Sequence, residues 1–466
     1  MAGAGTPQAS ALEQPRFWTL DRIADALGDG PRGTTEIARI STDTRHVTPG
    51  SAFLALIGET FDAHDFLADA VANGATALIV SDARRAANLG VPTYEVSDTL
   101  AAIGFLARYR RRVWGRPVIG VVGTNGKTST KELLLAALGS TLTVHATVGN
   151  YNNLVGVPLT IFAIPDDADI AVIEMGTNHP GEVEALRGIV EPDVVVITSI
   201  AEEHLEGLGD LEGVLREEVS ACFGVPIAVV PSSQPEIAEA ARPLARRTIT
   251  AGLDDGDLHP VSWGSEPDGR GWLQFDDVRV EVPLRGVHNM RNAMLALAVA
   301  RESGVSLEAA ARGIAAMPAP PMRVNFETHG AATVINDAYN SNPGSARVAL
   351  ELLTHAGEGR QRVAVLGTML ELGVHADRLH DDVARTALAT PADLLVGVGA
   401  FAEAFARVAP DDTRVASGAD PESAWSAARS RLAPDAVILL KGSRGVRLER
   451  LVPLIAEWAK DRSATT

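Results

Sequence analysis

The sequence predicts an α/β protein of three domains, on three observations. Its 466 residues exceed what one ordinary core accommodates, and length alone suggests about three domains. Short apolar runs of strand length recur between stretches with helical spacing through the second and third blocks of the chain. The composition, 46% hydrophobic and 21% charged, is that of a globular protein.

Charge and cysteine content narrow the function classes. The 41 Lys and Arg against 59 Asp and Glu leave a net charge of −18, so neither a nucleic-acid nor an anionic-membrane partner is expected. A phosphate-bearing ligand must then be held by a local pocket. The single cysteine, Cys222, excludes an intramolecular disulfide and a cysteine zinc cluster, and it fits a cytoplasmic location. No run of roughly 18 apolar residues is free of charges and turn formers, so no membrane insertion is expected.

The first domain is assigned to residues 1–115, of which 1–15 read as a flexible tail without the basic and apolar parts of a secretory signal. It carries a strand-like run at 77–80 and helical spacing at 100–112. The basic, Pro-containing stretch at 110–117 reads as a hinge. The second domain, 116–318, opens with the buried-strand run Val118-Ile119-Gly120-Val121-Val122. Further apolar runs at 171–173, 194–197 and 227–230 alternate with helical stretches, which predicts a parallel sheet covered on both faces. Residues 263–284 alternate instead and predict a β-hairpin insertion. The third domain, 319–466, repeats the buried-strand runs at 333–335, 363–366, 394–396 and 436–440, as a Rossmann-like unit would.

Chemistry is most legible after the first strand of the second domain. Gly120-Val121-Val122-Gly123-Thr124-Asn125-Gly126-Lys127-Thr128-Ser129 runs from that strand into a helical stretch at 131–138, the context a phosphate loop requires. Glycines let backbone N–H groups converge on phosphate oxygens, and the helix N-terminus adds partial positive charge. Lys127 would neutralise the β- and γ-phosphates, and the Thr128 hydroxyl would bind Mg²⁺. Val121 stands where the strict pattern has Gly. An ordinary strand-to-helix turn is the bland alternative.

The variant loop resembles that of the Mur ligases and folylpolyglutamate synthetases, which form amide bonds through an acyl phosphate. The similarity extends over nearly the whole chain. Glu174, ending an apolar run in Ile173-Glu174-Met175-Gly176, sits where a parallel sheet faces its ligand crevice and is a candidate Mg²⁺ ligand; a capping carboxylate is the bland alternative. His204, in Ala-Glu-Glu-His-Leu-Glu, would alone be a structural histidine, and the resemblance makes it a ligand of a second magnesium. Asn150 and Asn153 lie in the amide-rich segment 149–158 and are candidate substrate contacts. Asn289 and Asn292 match the family's His-Asn-x-x-Asn nucleotide segment, and Arg323 matches an arginine that approaches the phosphates from the hinge to the third domain.

The same resemblance implies the substrates. Ser41-Thr42-Asp43-Thr44-Arg45 is similar to the UDP-sugar-binding N-terminal domain of the ligases acting late in the series. Asp337-Ala338-Tyr339-Asn340-Ser341-Asn342-Pro343 is similar to a motif of the family members that add D-alanyl-D-alanine, with Asp337, Asn340 and Asn342 as dipeptide-binding candidates. Segments 366–373, His380 and Lys441-Gly442-Ser443-Arg444 complete the match. The implied reaction is ATP-dependent addition of D-alanyl-D-alanine to UDP-N-acetylmuramoyl-tripeptide by a monomer using ATP and two Mg²⁺ ions.

Departures from the pattern are informative. Ala63 and Thr368 replace a usual Gly and Asp. Where the family carries a lysine that CO₂ converts to a metal-binding carbamate, residues 209–218 contain none, and Glu218 falls near that place. Two readings of Glu218 stand: a carboxylate replacing the carbamate as metal ligand, or a solvated helix face. Addition of another amino acid, action on folate, and a nucleotide-gated binding protein without ligase chemistry are the rival functions.

Overall fold

The computed structural model describes residues 12–58, 60–266, 269–318 and 324–463. Its first sheet holds four parallel strands in chain order, β1 (Ile40–Ser41), β2 (Ser51–Leu54), β3 (Ala75–Val80) and β4 (Thr93–Glu95). Helix α1 (Thr99–Trp114) follows, capped by the Asp98 carboxylate at the Leu100 N–H and ended by Gly115 in the left-handed conformation.

The second sheet positions the chemistry. Its strands are β5 (Val118–Val122), β6 (Val144–Ala146), β7 (Ile170–Glu174), β8 (Val194–Ile197), β9 (Ile227–Pro231) and β10 (Arg247–Ala251). All six run parallel in the order β10-β9-β8-β5-β7-β6. β5 and β7 are buried at every residue, which explains why they are Val, Ile and Ala throughout except for Gly120 and the terminal Glu174. β5 connects towards β6 on one side while its neighbour β8 connects towards β9 on the other, so a crevice opens between their carboxyl ends. Helices α2 (Lys127–Leu138), α3 (Gly156–Phe162), α4 (Glu182–Val190) and α5 (Leu211–Val219) belong to the connections.

The expected hinge at 110–117 is corrected: Arg110–Arg112 lie in the closing turns of α1, which packs on α3 and α4. Buried Arg111 donates to Val190 O at 3.0 Å and to Asp193 at 2.9 Å, and buried Arg110 donates to Ile164 O and Asp166, both at 2.7 Å. The guanidinium stems thus fill the interface while their heads meet carbonyls at or just beyond helix C-termini, where positive charge is favoured. A basic run reads as solvated only until its carbonyl partners are known.

The alternating segment is also corrected. It forms an antiparallel three-stranded meander rather than one hairpin: β11 (Ser262–Ser265), β12 (Arg270–Phe275) and β13 (Val278–Arg285). The alternation continues across two turns, so one pattern covers three strands. Its inner residues Leu273, Val280 and Val282 share a core with Met290 and Met294 of helix α6 (Val287–Glu302).

The third sheet comprises β14 (Asn325–His329), β15 (Ala332–Asp337), β16 (Arg362–Gly367), β17 (Leu394–Val398), β18 (Val415–Gly418) and β19 (Val437–Lys441) in the order β14-β15-β19-β16-β17-β18. Five strands are parallel, and edge strand β14 runs antiparallel to β15. Helix α7 (Pro343–Ala356) starts after β15 with a capping box made by Asn342 and Ser345. Among the described residues no helix is long and apolar enough to cross a membrane.

Candidate active site

The carboxyl ends of the second and third sheets face one another across a cleft of 710 Å³. On one side lies the loop after β5. Gly123 and Gly126 both have positive φ, 115° and 87°. A Cβ on Gly123 would come within 2.9 Å of Thr198 N, and one on Gly126 within 2.8 Å of the Asn292 amide, so neither position admits a side chain without displacement. Thr124 N–H donates to Ser199 O at 2.8 Å and Asn125 N–H to Ser199 Oγ at 3.2 Å, which ties the loop to the end of β8. Helix α2 begins at Lys127 with no side chain capping it, leaving its first N–H groups directed at the cleft. Lys127 Nζ donates to the loop carbonyls of Gly123 and Thr124.

A buried acid adjoins the loop. Glu174, at the end of β7, accepts the Thr128 hydroxyl at 2.9 Å and the Asn152 amide at 2.9 Å. A hydroxyl and a carboxylate converging on one wall are hard oxygen donors of the kind Mg²⁺ takes, with water and phosphate completing its shell. Among the described residues no group of three His, Cys, Asp or Glu side chains is placed to hold a metal ion.

The third domain supplies the opposite wall. Asp337 and Lys441, register partners at the ends of β15 and β19, form an ion pair of 2.7 Å in which Lys441 is buried, and Lys441 also donates to Asn340 O. Side-chain hydrogen bonds cross between the domains. Asn125 and Asn342 exchange amide hydrogen bonds of 3.2 and 2.8 Å, Asn340 donates to Glu203 at 2.8 Å, and His204 Nδ1 is hydrogen-bonded to Glu371. His204 adopts φ +52°, a conformation tolerated by few side chains, and lines the cleft.

The structure gathers most of the expected residues. Thr124, Asn125, Gly126, Lys127, Thr128, Ser129, Asn150, Asn153, Glu174, His204, Asn289, Asp337 and Asn340 line the cleft. Asn292 supports Gly126 from behind. Ser41, Thr42, Asp43, Thr44 and Arg45 form a separate turn in the first domain, closed by Asp43 accepting from Arg45, and do not line the cleft. Arg323 lies outside the described residues. His380 is buried and accepts the Met369 N–H, a packing role.

Glu218, a candidate metal ligand, does not line the cleft. It is buried beneath the loop and accepts the Gly123 N–H at 2.8 Å. The solvated-face alternative is corrected, since α5 turns Glu217 and Glu218 inward; Glu217 accepts Gly181 N–H and Val183 N–H at the start of α4. Burial pushes the Glu218 carboxyl up to about 7, opposed by Lys127 and the Gly123 N–H. His288, also in the cleft wall, is pushed down to about 4 by burial.

Asn152, Lys441 and Glu371 lie in segments that the sequence singles out, yet the sequence assigns none of them a role of its own. Lys441 had a signal, a lone lysine ending an apolar strand. Which amide among 150–153 meets Glu174 is set by the loop's path and has no sequence signature.

A glycine-lined phosphate loop, a buried acid one hydrogen bond from its threonine, and a third domain closing over both define a class: nucleotide-dependent enzymes that activate one substrate and receive another from across a cleft. Comparison with known proteins gives the family. The Mur ligase middle domain matches residues 121–300, the Mur ligase, glutamate ligase domain matches 322–444, and the Mur ligase family catalytic domain matches 36–111. The chain is 32% identical to the UDP-N-acetylmuramoyl-tripeptide--D-alanyl-D-alanine ligase of Bacillus subtilis (strain 168), over 94% of this chain and 97% of that protein. For the Escherichia coli (strain K12) ligase of the same name the values are 33%, 94% and 98%. A crystal structure of MurF from Acinetobacter baumannii superposes with a TM-score of 0.87 at 32% identity, covering 96% of this chain and 100% of that one. The Thermotoga maritima MurF ligase in complex with ADP gives 0.80 at 26% identity, covering 91% and 98%. This chain belongs to the Mur ligase family.

Proposed function

We infer that this protein is an ATP-dependent ligase that joins D-alanyl-D-alanine to UDP-N-acetylmuramoyl-tripeptide, releasing ADP and phosphate and giving the UDP-muramoyl-pentapeptide of peptidoglycan precursor synthesis. The observation that carries this reading is the opposition of the phosphate loop and the Asp337–Lys441 pair across one cleft, in a chain similar to ligases of that name over 94% of its length. Residues 1–115 would bind the UDP-sugar through Ser41–Arg45, residues 116–318 the nucleotide, and residues 319–466 the dipeptide. The enzyme would act as a cytoplasmic monomer.

Each side chain has a task in that reaction. The tripeptide carboxylate and ATP are both anionic, so their approach needs positive charge. Lys127 would leave its loop carbonyls for the β- and γ-phosphates, and the uncapped start of α2 would add N–H donors. Thr128 and Glu174 would hold one Mg²⁺ and His204 a second, which would screen the phosphates and stabilise charge on the transferred phosphoryl group. Asn289 and Asn292 would contact the nucleotide, and Arg323 the phosphates. The dipeptide amine then attacks the acyl phosphate, forming the C–N bond as phosphate leaves. Closure of the third domain keeps water from that labile intermediate.

The reading is tested by phosphate release from ATP with UDP-muramoyl-tripeptide, Mg²⁺ and dipeptide, each omitted in turn. Release should need both substrates and accompany a pentapeptide product by mass. ATP binding without such release would favour a binding protein instead.

A further inference from the structure

Beside the main cleft lies a smaller pocket of 150 Å³, and the two share Glu203, His204 and Asn340 as a common wall. Its chemistry is asymmetric. At the shared wall Glu203 is buried, and its Oε2 has no hydrogen-bond partner although Oε1 accepts from Asn340. Elsewhere it is lined by Arg444, which forms an ion pair of 3.0 Å with Glu449, and by Ser341. The Ser341 hydroxyl is likewise buried and unpartnered, while the Ser341 carbonyl accepts from Ser443, the neighbour of Arg444. Leu370 and Leu372 supply an apolar surface.

Two buried polar atoms left without partners carry a desolvation cost unless a ligand completes them. The ligand that completes this pair has a cation at one end, a hydrogen-bonding anion at the other and small apolar groups between. A short zwitterionic peptide has that form. Its amine must reach the activated carboxyl in the main cleft, which fixes its direction: ammonium at the shared wall, carboxylate at the far one.

We propose that this side pocket is the acceptor subsite, in which Arg444 and Ser341 bind the free C-terminal carboxylate of the incoming dipeptide while Glu203 receives its ammonium. The proposal rests on the ligase reading and adds to it the groups that select the acceptor. Asp337 and Lys441, already paired with each other, then shape the wall facing the nucleotide instead of gripping the carboxylate.

The test compares D-alanyl-D-alanine with its C-terminal amide. Wild-type enzyme should show a KM roughly 10- to 100-fold higher for the amide, the range of a lost charged hydrogen bond. Arg444→Ala should raise KM for the dipeptide by a similar factor, leave KM for ATP unchanged and erase the preference for the free carboxylate. Ser341→Ala should act in the same direction, and Arg444→Lys should restore part of the preference. Glu449→Gln, which weakens the pair to Arg444 but keeps the guanidinium, should retain the preference; its loss would mark Arg444 as structural. Equal use of dipeptide and amide by wild type, or full preference in Arg444→Ala, would overturn the proposal. If wild type uses another amino acid and not the dipeptide, the ligase reading's acceptor is wrong, and that acceptor with its amide decides the pocket by the same comparison.

Discussion

Lys127, Thr128 and Glu174 do their work because each is placed by a neighbour of fixed geometry. The phosphate-loop residues are legible in sequence, since strand, glycines and helix occur in one unbroken stretch. Glu174 is legible too, as an acid ending an apolar strand. Replacing Glu174 by Gln keeps the hydrogen bond from Thr128 and removes the charge, so the Mg²⁺ concentration for half-maximal rate should rise about tenfold or more, measured by titrating Mg²⁺ at saturating ATP. Glu218 shows where residue-level reading stops. Its partner, the Gly123 N–H, lies 95 residues away, and no local rule turns a charged pair on α5 inward. With its folded value near 7 and the ordinary value at 4.5, the native state binds more protons between those limits than the unfolded chain does. The stability of the nucleotide-free protein at this group therefore falls as pH rises through that window. Glu218→Gln keeps an acceptor for Gly123 and should flatten that part of the profile in denaturant unfolding across it. Parallel profiles for the two proteins would refute the assignment.

At the scale of elements, the apolar strand runs predict the parallel sheets because strands buried on both faces leave little choice of residue. Boundaries made by long-range partners are less legible. The run of arginines ending α1 reads as a hinge when seen alone, yet three carbonyls (Val190 O, Glu191 O and Ile164 O) and two aspartates receive its buried guanidiniums. The first domain is consequently locked to the second by helix-end contacts. Arg111→Ala leaves Val190 O, Glu191 O and Asp193 without that donor, and should cost on the order of 2–3 kcal/mol in denaturant unfolding, with KM for ATP little changed. The meander reads as one hairpin in sequence because alternation marks strands but not the turns between them.

Across the whole molecule, polar contacts bring the third domain over the phosphate loop, and only their end residues are visible in sequence. Asn125 and Asn342 stand 217 residues apart, yet exchange two hydrogen bonds. Asn342 also caps α7, so Asn342→Asp separates its tasks: the carboxylate keeps the cap and loses the donor to Asn125. We expect kcat to fall roughly tenfold with the melting temperature nearly unchanged, because domain closure weakens while the fold does not. An unchanged kcat would show that the amide pair contributes nothing to closure.

The central claim is that this cleft activates a carboxylate by phosphoryl transfer and hands it to an amine delivered by the third domain. The most direct measurement follows heavy oxygen from the labelled terminal carboxylate of UDP-muramoyl-tripeptide during turnover with ATP, Mg²⁺ and D-alanyl-D-alanine. The account predicts one labelled oxygen in the released phosphate for each pentapeptide formed, and none in ADP. Pentapeptide formed with unlabelled phosphate would contradict it.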